Sequence, residues 1–528
     1  MLDWLAHRAE VSPDHTALMY GDESWTYTAL NQRVAALCAR LSEFRIRAGE
    51  RVAVAMPNSP DYVRLIHALA RLGAVIVPLN MRLSSVEGIK QIQQSDSRHV
   101  VAMRSTSEIV SFWEGNPLLI EDVPIWARDE SDWLSRPLDL DATQGIVFTS
   151  GTTGQPKGAM LTFANHLWSA QASAYRLGTL PEDRWLACMP LYHVGGQAII
   201  LRACLYGITV VLHDGFDVER VSRALDDQQI TMVSLVPTML KRLMEYRGDR
   251  AVPESVRCVL IGGAAATKQV VDEALACGWP ISLTYGLTEA ASQVVTATPD
   301  EVRRKPGSVG KALMFSQVRI VDENGAQLPC GEIGEIAISG PTVMRGYYDQ
   351  PEETVKVLRD GWLHTGDLGY LDEDGDLWVV QRRSDLIVTG GENVYPAEIE
   401  AVLEAHPGIA EVCVVGLEDS EWGQRVEALI VRRDKSLTEE AVTAYCREHL
   451  AGYKIPRTIY FGYELPRTAS GKVDRNKLAM MVEDRTFSDI TRKGQGYDDQ
   501  HRSTIRMEDR STEPDAPGAA CTRSGSRW

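Results

Sequence analysis

The sequence has no long uninterrupted apolar run. Its greasiest region, AIILRACLYGITVVL, is broken by Arg202 and Gly207. A helix needs about 20 largely apolar residues to cross a bilayer, so a membrane span is not expected. The nine cysteines are scattered, and no C-x-x-C pair occurs. That excludes an obvious disulfide framework and fits reduced thiols in the cytoplasm. The start, MLDWLAHRAEVSPDH, lacks a basic stretch followed by an apolar one, so no signal peptide is read there. Positive charge is in deficit: 55 lysines and arginines stand against 72 aspartates and glutamates, a net charge of -17. A broad surface for nucleic acid or anionic membrane is therefore excluded. Any anionic ligand must be held by local cations and backbone dipoles. Internal repeats are lacking, and so is the phosphate-binding pattern G-x-x-x-x-G-K-[ST].

What is present is an ordinary globular composition, 44% hydrophobic and 24% charged, over 528 residues. At roughly 100–200 residues per domain, several domains or subdomains are expected. From about residue 15 to 340, short β-rich runs alternate with helical patterns, as in RVAVAM before DYVRLIHALARLG. That alternation predicts layered α/β structure with parallel strands. Antiparallel hairpins follow, turning at Asn324-Gly325 and Asp374-Gly375. Beyond Ser384 the order is helix, strand, strand, helix, a small α+β module. Residues 484–528 are polar and nearly free of apolar side chains, and read as a disordered tail. The expected organisation is therefore 1–383, 384–483 and a tail, 484–528.

The chemistry begins in VFTSGTTGQPKGAML, residues 147–161. A glycine-rich turn after a strand converges backbone N–H groups on an anion. Thr149, Ser150, Thr152 and Thr153 add hydroxyls around Gly151 and Gly154, and Lys157 adds a charge. YGLTEA, 285–290, offers in one short turn Tyr285 for stacking, Thr288 for phosphate and Glu289 for Mg²⁺, which takes carboxylates and phosphate oxygens. GWLHTGDLG places Asp367 in a tight turn, able to accept from two ribose hydroxyls. RRSDLIVTGGENVYPAEIE carries Arg382 and a Gly-Gly turn, and PRTASGKVDRNKL holds Lys472 on a turn. Each stretch alone also reads as ordinary structure: a core tyrosine, a hairpin, a helix cap, a surface lysine.

Together and in this order, TSGTTGQPKG, YGLTE, TGD, GGENVYP and the late GK closely resemble the adenylate-forming superfamily of acyl-CoA synthetases, nonribosomal adenylation domains and luciferases. The likeness covers about residues 1–480. DRWLACMPLYHVGG and TVVLHDGFDVE carry a closer likeness to a branch acting on an aromatic dicarboxylic acid. The resemblance implies the adenylate-forming fold, with a large α/β domain and a small mobile α+β domain. It implies ATP, Mg²⁺ and coenzyme A as reactants, a small-molecule carboxylate as substrate, and two steps through an acyl-adenylate. It puts Thr149–Gly154 and Lys157 on the β- and γ-phosphates, and Thr288 and Glu289 on Mg²⁺ and phosphate. Tyr285, Gly286, Gly263 and Ala264 go to adenine, and Asp367 and Arg382 to ribose. Lys472 falls to the first step's transition state, Gly390 and Gly391 to the pantetheine tunnel. The family's hinge is usually Asp or Lys; the matching position here is Ser384, a departure.

His193 either packs in the core or meets the reacting carboxylate. Arg202, the ninth residue after His193, either snorkels to water or supplies a cation to a second carboxylate on the substrate. Three other functions compete: an enzyme loading a carrier protein, a non-catalytic nucleotide sensor, and a ligase of the same fold for another acid. The set Glu289, Asp367, Arg382 and Lys472 speaks against the sensor.

Overall fold

The computed structural model describes residues 3–81, 83, 85–111, 113–123, 133, 135–149, 156–264, 266–382, 387–389, 392–394, 396–419, 423–434, 436–450, 452–468 and 471–483. Ser150 to Gly154, Ser384, Gly390, Gly391 and the segment 484–528 lie outside the described residues. The chain divides into two compact units, Met1–Leu386 and Ile387–Trp528.

In the first unit the apolar runs become strands buried on both faces. Arg51–Ala55 has four buried residues in five, and Cys258–Ile261 is buried throughout, as parallel strands covered by helices are. Two large sheets result. The nine-stranded one has Ile281–Leu287, Cys258–Ile261, Met232–Leu235, Arg184–Ala187 and Thr209–Leu212 as adjacent parallel strands. The seven-stranded one joins Arg51–Ala55 and Val75–Pro78 to Thr143–Thr149 and Lys157–Thr162. Helices start and stop where local chemistry dictates. Pro60–Leu72 begins with the Ser59 hydroxyl accepting from Tyr62 N–H and ends at Gly73, φ 69°. A five-stranded antiparallel sheet follows, built on Gln317–Val321, Gly334–Ser339, Trp362–Leu371 and Leu377–Arg382.

The helix Val194–Tyr206 is greasy on all sides because it is packed on all sides. Ile199, Ile200 and Leu201 are 1–2% exposed and Arg202 is 3% exposed. Arg202 does not snorkel. Among the described residues no helix is long and apolar enough to cross a membrane, and the eight described cysteines form no disulfide with one another.

The second unit has its own core around Ile399, Leu403, Val414 and Ile430. The long strands Ile409–Asp419 and Gly423–Arg432 pair antiparallel, and Thr458–Gly462 joins the latter in parallel. The helices Pro396–Glu404, Glu439–His449 and Arg475–Glu483 complete it.

Two local expectations are corrected. Asp367 is not in a tight turn but inside the ten-residue strand Trp362–Leu371. There the register with Gly334–Ser339 jumps from His364↔Ala337 to Leu368↔Glu335, a bulge with Gly366 at φ 72°. YGLTEA is likewise not one short turn: Tyr285 to Leu287 finish a strand, and Thr288–Ala290 is the turn.

Candidate active site

The glycine-rich loop connects two antiparallel strands, not a strand and a helix. Thr149 pairs in register with Lys157, so the loop leaves and re-enters the sheet at one point. The Thr149 hydroxyl lies 3.4 Å from the Lys157 carbonyl oxygen and 3.5 Å from Glu289 Oε1. Two motifs 140 residues apart in sequence thus meet.

Glu289 is presented by a crowded crossing. A Cβ on Gly286 would lie 1.7 Å from the Ser292 carbonyl oxygen, so only glycine fits. Gly286, expected at the nucleotide, therefore has a packing reason of its own. Directly after the turn, Ala291 and Ser292 both hold positive φ, 52° and 92°. Consecutive non-glycine residues there are strained, and such strain persists only where surroundings impose it. Here Met344 N–H holds the Glu289 carbonyl at 2.8 Å, and Tyr347 Oη donates to Glu289 Oε1 at 2.9 Å. Burial, then the Glu289 charge, pushes the Tyr347 phenol well above its ordinary pKa. Among the described residues nothing bonds Glu289 Oε2, and this open carboxylate oxygen suits Mg²⁺. Lys157 stands 5.4 Å from the centre of the Tyr347 ring and pairs with Glu353.

A second cluster lies beside the first. Tyr285 Oη donates to Asp367 Oδ2 at 2.9 Å, with both residues under 9% exposed. The Asp367 bulge is braced: Glu335 accepts from Gly366 N–H at 2.9 Å and holds His364 at 3.0 Å, and the Thr365 hydroxyl accepts from Asp367 N–H at 3.1 Å. Asp367 pairs in register with Arg382 on the next strand. Gly263, at φ 77°, and Ala264 are exposed beyond the carboxyl end of Cys258–Ile261. Ligands of open α/β sheets bind at such ends.

The third cluster surrounds Arg202. His193 occupies the residue before the helix Val194–Tyr206, half-buried, with its ring centroid 4.7 Å from that of Tyr192. Arg202 donates to Gln293 Oε1 at 2.6 Å and to Ser169 Oγ at 2.9 Å. Both partners are neutral, and among the described residues no carboxylate meets this guanidinium. Burial pulls its pKa below the usual guanidinium range. Ser169 in turn donates to the Ala291 carbonyl at 2.7 Å, so the Arg202 cluster touches the strained turn after Glu289. His166, buried beside Arg202, is held neutral by burial and by that charge, its pKa down to about 4. His166 Nε2 and both amide atoms of Gln197 are buried and have no hydrogen-bond partner among the described residues.

The first unit thus gathers Thr149, Lys157, Tyr285, Glu289, Asp367 and the backbone of Arg382. Thr288 sits in the turn with Glu289. Lys472 belongs to the second unit, exposed on a turn closed by Thr468 N–H to the Lys472 carbonyl at 2.8 Å, with Gly471 at φ 83°. Tyr347, Glu353, Glu335 and Gln293 escape sequence reasoning. GYYDQPEET carries the first two in plain sight, but nothing local says that they face Glu289 and Lys157.

Comparison with known proteins identifies the family. The AMP-binding enzyme family matches residues 5–348, and the AMP-binding enzyme C-terminal domain matches 398–472. The 2-succinylbenzoate–CoA ligase of Bacillus cereus (strain Q1) is 40% identical over 491 residues, covering 92% of this chain and 99% of the relative. That of Bacillus mycoides (strain KBAB4) is equally similar, 40% over 491 residues with the same coverage. Among solved structures, the o-succinylbenzoate CoA synthetase of Bacillus subtilis with its acyl-adenylate intermediate has a TM-score of 0.85 at 39% identity, covering 90% of this chain and 98% of that one. The same Bacillus subtilis enzyme with ATP and magnesium ion has a TM-score of 0.84 at 38% identity, covering 90% and 99%. On these matches, and with the fold they share, the chain belongs to the AMP-binding enzymes, the adenylate-forming family.

Proposed function

We propose that this enzyme activates 2-succinylbenzoate with ATP and joins it to coenzyme A, releasing AMP and pyrophosphate, in the cytoplasm and in the service of menaquinone synthesis. The observation that carries the substrate is Arg202: a guanidinium 3% exposed whose hydrogen-bond partners, Gln293 and Ser169, are both neutral. A buried charge ordinarily has a counter-charge. The aromatic carboxylate of 2-succinylbenzoate supplies one, and a guanidinium fork matches a carboxylate.

In the first step a substrate carboxylate oxygen attacks the α-phosphorus and pyrophosphate leaves. In the second the coenzyme A sulfur attacks the acyl carbon and AMP leaves. The first step brings two anions together, so pre-placed donors must offset their repulsion. Lys157, Thr149 and the Ser150–Gly154 loop are assigned to the β- and γ-phosphates. Thr288 and Glu289 are assigned to phosphate and Mg²⁺; the ion, when bound, neutralises phosphate charge. Tyr285 lies against adenine with Gly263 and Ala264, while Asp367 and Arg382 take the ribose hydroxyls. His193 meets the reacting carboxylate. Lys472 serves the first step. Gly390 and Gly391 line the thiol's path after residues 384–483 rotate about Ser384.

The test is a comparison of kcat/KM for 2-succinylbenzoate and a monoacid lacking the aromatic carboxylate. Arg202→Ala should cost the diacid about 2–5 kcal/mol more transition-state binding than the monoacid, mostly as KM. Equal losses for both acids would make Arg202 structural and remove the support it gives the substrate.

A further inference from the structure

Lys157 is the cation of the glycine-rich loop, yet its ammonium is already engaged. It pairs with Glu353, on the helix Pro351–Val357, and the two side chains are 11% and 25% exposed. Glu353 also pairs with Lys356, which is 65% exposed on the same helix. Lys157 also lies over the face of Tyr347, whose hydroxyl is spent on Glu289. One carboxylate is thus divided between a sheltered lysine and an exposed one. A carboxylate beside the β- and γ-phosphates would repel them, and Lys157 cannot serve both anions at full strength. Glu353 therefore has to give way when nucleotide enters, and Lys356, one helical turn along, is placed to keep it.

We propose that Glu353 is an internal counter-anion for Lys157: it holds the lysine in the nucleotide-free enzyme, surrenders it to a phosphate of ATP, and stays with Lys356. This rests on the assignment of Lys157 to the β- and γ-phosphates. The arrangement keeps the lysine over the Tyr347 ring before ATP arrives. It also sets a penalty that falls only on nucleotides with β- and γ-phosphates. AMP has neither and leaves Glu353 in place, so ATP affinity is tuned independently of AMP affinity.

Calorimetric titration with ATP, and separately with AMP, in the presence of Mg²⁺ and without carboxylate or coenzyme A, tests this. Glu353→Gln should bind ATP about three- to tenfold more tightly, as expected for removal of a partly exposed competing pair, and bind AMP as the native protein does. The gain should vanish in a Lys157→Ala background. Unchanged or weaker ATP binding by Glu353→Gln, with ATP binding still weakened by Lys157→Ala, would overturn the counter-anion and spare the phosphate assignment. Native ATP affinity in Lys157→Ala would overturn both. A parallel shift in AMP binding would make Glu353 a structural residue and overturn the proposal. Should Glu353→Gln fail to fold, Lys356→Gln carries the test. ATP binding weakened about two- to threefold, with AMP binding unchanged, supports the proposal; native ATP affinity overturns it.

Discussion

Gly286 is where one side chain's absence decides whether the site exists. Its backbone crosses Ser292 so closely that a Cβ would sit 1.7 Å from the carbonyl oxygen. Replacement by alanine must push apart the strand carrying Tyr285 and the strand carrying Gln293. Gly286→Ala should lower stability by about 3 kcal/mol or more, as overpacking against backbone does, and abolish adenylate formation. A melting temperature and a pyrophosphate-release rate equal to the native protein's would refute that account. Residues of this kind were partly legible. Glu289 and Lys157 stand inside short motifs whose residue types complement the charge of the ligand proposed for each, and Asp367 inside one whose carboxylate can accept from hydroxyls. Tyr347, Glu353 and Glu335 do not, because each acts on a partner from another element and the pairing exists only after folding. Arg202 was legible as an oddity, a charge in a greasy run, while its escape to water was ruled out only by the packing around it.

At the scale of elements, alternating runs were readable because strands buried on both faces must be apolar throughout. The bulge at Asp367 was not, since two strands have to be compared to find one. The smaller unit is proposed to serve both steps: Lys472 and Gly390-Gly391 belong to it and are assigned to different ones. Lys472→Ala should slow adenylate formation by about two orders of magnitude or more while a supplied acyl-adenylate is still converted to thioester. Gly391→Leu should do the opposite. Each variant is assayed for both half-reactions by pyrophosphate release and by thioester yield. Loss of the same half-reaction in both would refute the alternation.

For the whole molecule, buried histidines set the acid limit. His67 and His166 are both held near a pKa of about 4, mainly by burial, against the ordinary 6.5. Both are neutral in the fold and take up a proton on unfolding at mildly acid pH. Their contribution is therefore present above pH 6.5 and is lost as pH falls toward 4. At about 1.4 kcal/mol per pKa unit, each accounts for about 3 kcal/mol. The melting temperature should fall steeply over that interval, and His166→Gln should flatten the fall. Parallel curves for native and variant protein would show that other groups govern acid unfolding.

The bond from Ser169 to the Ala291 carbonyl carries a lesson for anyone redesigning the acyl pocket. Ser169 receives a hydrogen bond from Arg202 and grips the bend that presents Glu289. Swapping the guanidinium for an apolar group to admit monoacids would loosen that grip and leave Gln293 without its donor. On the roles proposed for Arg202 and Glu289, selectivity and nucleotide handling are therefore mechanically geared together. Retargeted catalysts should arrive with a hidden defect toward ATP, and second-site revertants should cluster at positions 169, 291 and 293, where the gearing can be rebuilt without restoring the original appetite for diacids.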